Sequence, residues 1–211
     1  MNGAMRGLVS GVVLAAGSAR RMNAQKLLLD VGGRPLVRVV VEEATSAGLA
    51  EVVVVVSDAS EREIAAALDA LDLRVVANPR AAEGMGTSVA TGAAAVSEDS
   101  EALVLTQGDQ PLVVRSMLRR LVEAWQQERP PFVASRYDEL VTTPVLFDRS
   151  LFPELRELDG DRGAKLVLDR HRDEGKTVGF PPWRGSDVDT PEDYRRVREL
   201  LLRENRGAGD A

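Results

Sequence analysis

Glu51 to Val56 reads EVVVVV, five valines in succession behind one charged residue. A strand with one wet face alternates apolar and polar side chains, and an unbroken β-branched run has no wet face to offer. The run predicts a strand covered on both sides, as in a parallel sheet sandwiched between helices. Leu8 to Leu14, Leu73 to Ala77 and Ala102 to Thr106 are further apolar runs bounded by turn signals. Helical periodicity fills the intervals. Pro35 suits the first turn of a helix reaching Ala47, Ser60 with Glu63 spells a capping box for a second, and Gly86 to Val96 reads as a third. Leu118, Leu121, Val122 and Trp125 recur at helical spacing, one apolar face of a fourth.

Strand and helix thus alternate, and right-handed crossovers put such helices on both faces of the sheet. The expected class is α/β, a three-layer sandwich around a mostly parallel twisted sheet, with ligands gathering at the carboxyl ends of the strands. The second half is less regular. Pro130 and Pro131 stop a helix, while Phe132 to Ser135, Pro144 to Phe147 and Thr177 to Phe180 read as strands. Leu166 to Leu168 lie in a short helix. Thr190, Pro191 and Asp193 open a final one, on which Tyr194, Val197, Leu200 and Leu201 share a face. We expect one domain over residues 1–204 and a flexible Gly- and charge-rich tail over 205–211.

Composition removes whole classes of function. The 211 residues are 44% hydrophobic, enough for one sizeable core. With 33 acidic against 27 basic side chains the net charge is -6, which argues against broad capture of nucleic acid or an anionic membrane. There is no cysteine, hence no disulfide, thiolate metal site or thiol nucleophile, and the single His171 cannot build a zinc cluster. No apolar run is long enough to cross a bilayer, and the first residues hold only Arg6 ahead of a short apolar stretch; the expectation is a soluble cytoplasmic protein.

Three loops carry the chemistry. Gly11 to Lys26, GVVLAAGSARRMNAQK, sets small residues after the first strand and surrounds them with Arg20, Arg21 and Lys26, a pattern that brings amides and cations onto polyphosphate oxygens. It matches neither the P-loop nor the GxGxxG fingerprint, and a plain solvated basic loop has the same composition. In TQGDQPL, Asp109 follows a buried strand, and Asp187 and Asp189 precede the final helix in SDVDTPEDY. Hard carboxylates from distant segments suit Mg²⁺ or Mn²⁺, although aspartates before helices are also ordinary caps and turn formers. Asn78-Pro79 followed by GMGTS makes a second loop running into a helix N-terminus, fit for an anion or a base edge, or simply for a turn.

LAAGSARRM with Lys26, NPRAAEGMGTS, GDQPLV and DVDTPEDY, in that order across roughly residues 8 to 198, resemble the MobA-like nucleotidyltransferases, most closely the molybdenum cofactor cytidylyltransferase branch. The resemblance implies a Rossmann-like nucleotidyltransferase fold. It implies that Leu14, Ala15, Ala16 and Gly17 wrap a nucleoside triphosphate whose phosphates are held by Arg21 and Lys26. Asn78, Gly84 and Ser88 would line the nucleotide pocket. Asp109 with Asp189 would bind the metal, Mg²⁺ or possible Mn²⁺, with Asp187 a nearby substitute. Arg21, Lys26 and Asp109 would be catalytic. Thr143, Asp161, Arg162 and Lys165 would lie on the acceptor side. The LAAG spelling resembles cytidylyl-transferring members, where guanylyl-transferring ones have LAGG, so CTP is the implied donor. Two departures stand out: Asn23 follows the RM pair in place of the usual glycine, and the family's GxPVLF is TTPVLF here, through Thr142 and Thr143.

The implied reaction moves CMP from CTP to a molybdopterin-type phosphorylated acceptor and releases pyrophosphate, with a molybdoenzyme or its chaperone as a possible partner. No protein nucleophile is needed, and His171 is expected on the surface, Trp183 packed against the core. Rival readings are a catalytically silent nucleotide-binding regulator or molybdoenzyme chaperone, a transferase using GTP or another phosphorylated acceptor, and a dinucleotide oxidoreductase, which the missing first-turn fingerprint opposes.

Overall fold

The computed structural model describes residues 7–17 and 26–207, with side chains through residue 203. Seven strands form one sheet: β1 (Val9–Ala15), β2 (Glu51–Ser57), β3 (Arg74–Asn78), β4 (Ala102–Gln107), β5 (Phe132–Tyr137), β6 (Leu140–Asp148) and β7 (Lys176–Gly179). Their order is β3-β2-β1-β4-β6-β5-β7, and β6 alone runs against the rest, antiparallel to both β4 and β5.

The valine run of β2 is buried on both faces. Val52, Val54 and Val56 pack with α1 (Leu36–Thr45), α2 (Glu61–Ala67), α4 (Arg115–Glu128) and α7 (Pro191–Gly207). Val53 and Val55 face α3 (Met85–Ala95), α5 (Phe152–Arg156) and α6 (Lys165–Arg170). These valines are at most 3% exposed, and full burial contributes roughly 1.5 kcal/mol or more apiece. Turning the run into a wet-faced strand would therefore cost more than most single contacts on the surface supply.

Several expectations need correction. The strand read at Pro144 to Phe147 lies in the second half of a nine-residue β6. Pro144 is tolerated inside the sheet because the ladder to β4 ends at Val145 and the register with β5 shifts between Ala134 and Ser135. The capping box does not form: Ser60 precedes α2, but its hydroxyl pairs with the Ser57 hydroxyl at 2.8 Å and caps no helix amide. That local turn competes successfully for the side chain. The last helix runs from Pro191 to Gly207. Trp183 is 38% exposed, with the Arg184 guanidinium 4.1 Å above its ring, so it does not cover the core. Among the described residues, no helix is long and apolar enough to cross a membrane.

The topology fixes where a ligand can sit. From β1 the sheet grows outward through β2 and β3, and β4 then joins the opposite side of β1. The loops leaving β1 and β4 therefore part at their carboxyl ends and leave a crevice there.

Away from this edge, His171 closes α6, its ring nitrogens 2.7 Å from Glu154 and 3.0 Å from Glu174. Hydrogen bonds to Glu154 and then Glu174 raise its pKa above the usual histidine value. A raised folded-state pKa stabilises the fold at pH below the unfolded value of about 6.5, and that contribution is lost as pH rises through the folded one. Because the pair is only part-buried and water still screens it, the stabilisation is a few tenths to about 1 kcal/mol. His171→Asn should therefore lower the melting temperature more at about pH 5.5 than at about pH 9; an equal loss at both would remove the charge from the explanation.

Candidate active site

Three polar segments converge on the crevice. Lys26 opens a short 3-10 turn, and its ammonium lies 2.7 Å from Asp109 Oδ2 and 2.9 Å from Asp189 Oδ1. Asp109 stands two residues beyond β4, and its backbone carbonyl accepts from Val188 N at 3.1 Å, tying the final loop to the end of the strand. Burial by itself pulls the Lys26 pKa down, but the charges and hydrogen bonds of Asp109 and Asp189 outweigh it and leave the pKa above the ordinary lysine value. The ammonium is therefore charged at every physiological pH.

Asp187 is held by an amide. Its Oδ1 accepts from Gln110 Nε2 at 2.7 Å, and burial, reinforced by the charge of Asp109, pushes its pKa up to about 6. Gln110 belongs to a buried relay: its Oε1 accepts from the Thr143 hydroxyl at 2.9 Å, which in turn accepts from Gln107 Nε2 at 3.1 Å. Tyr137 donates to the Thr143 carbonyl at 3.2 Å, and burial pushes the phenol up to about 12.

Lys26, Asp109, Asp187, Asp189 and Gln107 border a cavity of 580 Å³, a volume suited to a nucleotide-sized ligand. Of the residues implicated by sequence, Leu14, Ala16, Gly17, Lys26, Gly84, Ser88, Asp109, Asp161, Asp187 and Asp189 line it. Ala15 points into the core on the other face of the sheet. Asn78 is 2% exposed and bonds Thr87 and Ser88 at 2.9 and 3.0 Å, so it shapes the wall from behind. Thr143 is likewise buried behind the cavity. Arg162 and Lys165 are exposed outside the lining, Arg162 lying 3.9 Å from Asp169. Arg20, Arg21 and Asn23 fall outside the described residues. Met85 of the GMGTS loop lines the cavity as well, and so do Leu27, Gln107 and the Ala81–Glu83 turn, which were not singled out; of these only Gln107 is signalled, by its adjacency to the GD turn.

The GMG loop and the LDGDRG loop meet at one wall. Gly86 N donates to Gly160 O at 2.7 Å. Gly84 holds φ at 132°, and a Cβ there would sit 2.3 Å from the Gly160 carbonyl carbon; a Cβ on Gly86 would sit 2.5 Å from Asp159 O. Backbone fills the space that any side chain would need.

The donor set suits a hard divalent cation. Asp109 Oδ1 is buried with no hydrogen-bond partner among the described residues, and the second carboxylate, Asp189, is held beside it through Lys26. Among the described residues no group of three or more His, Cys, Asp or Glu forms a cage. A cation here would complete its shell with ligand oxygens and water, as small hard cations do in phosphate chemistry.

The family model for the MobA-like NTP transferase domain matches residues 11–175. The chain belongs to this family. Purine catabolism protein PucB of Bacillus subtilis (strain 168) is 31% identical over 205 residues, covering 90% of this chain and 96% of PucB. Nicotine blue oxidoreductase of Paenarthrobacter nicotinovorans is 30% identical with the same two coverages. The 3-deoxy-manno-octulosonate cytidylyltransferase of Coxiella burnetii (strain Dugway 5J108-111) is 32% identical over 147 residues, 69% of this chain but 53% of that protein. The manganese complex of Rv0371c from Mycobacterium tuberculosis H37Rv superposes with a TM-score of 0.74 at 30% identity, covering 92% of this chain and 98% of that one. Membership makes this MobA-like chain a nucleotidyltransferase by class, and its sheet is the Rossmann-like one of that class.

The glycine seam yields a direct test. Gly86→Ala forces two backbones apart, an overpacking cost of about 1–3 kcal/mol, against a helix-propensity gain of at most about 1 kcal/mol. A net loss of about 1–2 kcal/mol is expected in urea denaturation, and an unchanged midpoint would contradict the close approach.

Proposed function

We propose that this protein transfers CMP from CTP to the phosphate of a molybdopterin-type acceptor in the cytoplasm and releases pyrophosphate. The observation that carries the reading is the convergence of Lys26, Asp109 and Asp189 on one cavity at the carboxyl edge of β1 and β4. CTP as donor is supported by the LAAG spelling at Leu14 to Gly17 and by the cytidylyltransferase relative. Molybdopterin as acceptor, and a molybdoenzyme or its chaperone as the downstream partner, rest on the resemblance of the ordered motifs alone.

In the proposed step an acceptor phosphate oxygen forms a bond to the α-phosphorus. The α-phosphorus to pyrophosphate bond breaks, and its oxygen leaves with the electron pair. The acceptor is already anionic, so no side chain has to remove a proton from it. The chain's task is alignment of two repelling anions and neutralisation of the charge that builds on the leaving group. Lys26, and Arg21 beside it in sequence, would hold the triphosphate oxygens. Gly84 and Ser88 would border the nucleoside, with Asn78 bracing Ser88 from behind. Asp109 and Asp189 would hold Mg²⁺, with Mn²⁺ as a substitute supported by the manganese-bound relative. Bound there, the cation would supply Lewis-acid stabilisation of phosphoryl charge. Asp161 reaches the cavity from the acceptor-side loop and would help to exclude a wrongly placed anion.

Nicotine blue oxidoreductase, aligned over 90% of the chain, supports a redox alternative, against which stands the lack of a GxGxxG turn after β1. A thermal-shift panel of CTP, GTP, ATP and NAD with Mg²⁺ separates the readings, since a tight ligand raises the melting temperature by mass action. CTP is expected to give the largest shift. A shift with GTP alone would reverse the base assignment, and a nicotinamide absorbance change on turnover would replace transfer by redox chemistry. Lys26→Ala should weaken CTP binding about ten- to a hundredfold in calorimetric titration, the loss of a charge-assisted hydrogen bond. Asp109→Asn should stay folded yet lower pyrophosphate release by about a thousandfold, because several kcal/mol of charge stabilisation disappear. Wild-type turnover in Asp109→Asn would refute the cation site.

A further inference from the structure

Thr143 is the second threonine of TTPVLF. It is 8% exposed and sits behind the cavity wall, bonded to two glutamines. Thr143 Oγ1 donates to Gln110 Oε1 at 2.9 Å, and Gln110 Nε2 donates to Asp187 Oδ1 at 2.7 Å. Gln107 Nε2 donates back into Thr143 Oγ1 at 3.1 Å.

The direction of this relay follows from chemistry. A carboxylate only accepts, so the amide nitrogen of Gln110 has to face Asp187. The amide oxygen then points the other way, into a region where Gln110 is 1% exposed and no solvent can serve it. Thr143 supplies the donor that this oxygen needs. Gln107 Nε2 is a donor and cannot take the hydroxyl proton, so Thr143 accepts from Gln107 and gives its single proton to Gln110 Oε1. Remove the hydroxyl, and the buried amide loses the contact that holds its orientation. Asp187, held through Oδ1 by that amide, then loses its support at the cavity wall.

We propose that Thr143 is a positioning residue for the transfer, acting through Gln110 to fix how Asp187 presents its carboxylate to the cavity. The kinetic part of this proposal rests on the nucleotidyltransfer reading above; the relay itself does not.

The test compares Thr143→Val, which keeps the shape and deletes the donor, with Thr143→Ser, which restores it. In the wild type, the Gln110 side-chain amide protons should exchange slowly with solvent in nitrogen-resolved NMR, being buried and hydrogen-bonded. In Thr143→Val they should shift and exchange faster, and in Thr143→Ser return to the wild-type pattern. With CTP, Mg²⁺ and acceptor, Thr143→Val should lower kcat about tenfold, the rate equivalent of one hydrogen bond, while the calorimetric Kd for CTP stays within about twofold. Thr143→Ser should recover kcat to within about twofold. A Gln110 signal unchanged in Thr143→Val overturns the relay whether or not the enzyme turns over CTP. A wild-type kcat in Thr143→Val, or a kcat in Thr143→Ser as low as in Thr143→Val, overturns the positioning role. If Thr143→Val fails to fold, Thr143→Ser alone decides: loss of the Gln110 signal there refutes the proposal, and its retention with near wild-type kcat supports it.

Discussion

One ammonium group ties together carboxylates that lie 83 and 163 residues away in the chain. The Lys26 side chain is 11% exposed, and withdrawing such a charge from water costs several kcal/mol unless it is matched. The two partners do not match it equally. Asp109 is 17% exposed at 2.7 Å, whereas Asp189 is 61% exposed at 2.9 Å, and water weakens the second pair to the level of an ordinary surface contact. Lys26 and Asp109 therefore form the fixed half of the arrangement, and Asp189 the half that can change partners at little expense. A site that must admit a polyanion needs that asymmetry.

The fold makes the convergence inexpensive. Loops that leave neighbouring strands in opposite directions open a crevice without any bent strand or strained helix. Backbone contacts then set its width: Val188 N reaches Asp109 O, and Gly86 N reaches Gly160 O. Because these bonds join main chain to main chain, the walls keep their spacing while the side chains between them vary.

Much of the architecture was legible because burial leaves an unambiguous mark on sequence. A valine run such as 52–56 has one stable home, and the apolar spacing of Leu118 to Trp125 has one helical face. The carboxylates and Lys26 were legible only through the order of the motifs, since a single aspartate before a helix is also a common cap. Ser60 illustrates the limit: its spelling meets the capping pattern, yet Ser57 is close enough to take the hydroxyl. The placements of Asn78 and Thr143 were hidden for a related reason. A polar residue in a loop reads as a ligand contact, and whether it faces the ligand or braces its neighbour depends on packing by residues far away in the chain. Gln107 and Gln110 were signalled only by their place in the TQGDQPL turn, because an amide has no chemistry of its own until something orients it.

The reversal of β6 has an effect that reaches past topology. In every other strand the chain arrives at the crevice as it leaves the sheet; in β6 it arrives as it enters, so Thr143 stands at the ligand edge with the rest of the strand still to come. The β5–β6 hairpin thus begins and ends on the far rim and folds back at the ligand edge, laddered to β4 on one side and to β7 on the other. A change confined to its tip would reach the crevice without passing through β1, whereas a change at Thr143 would be felt at once by the loop after β4.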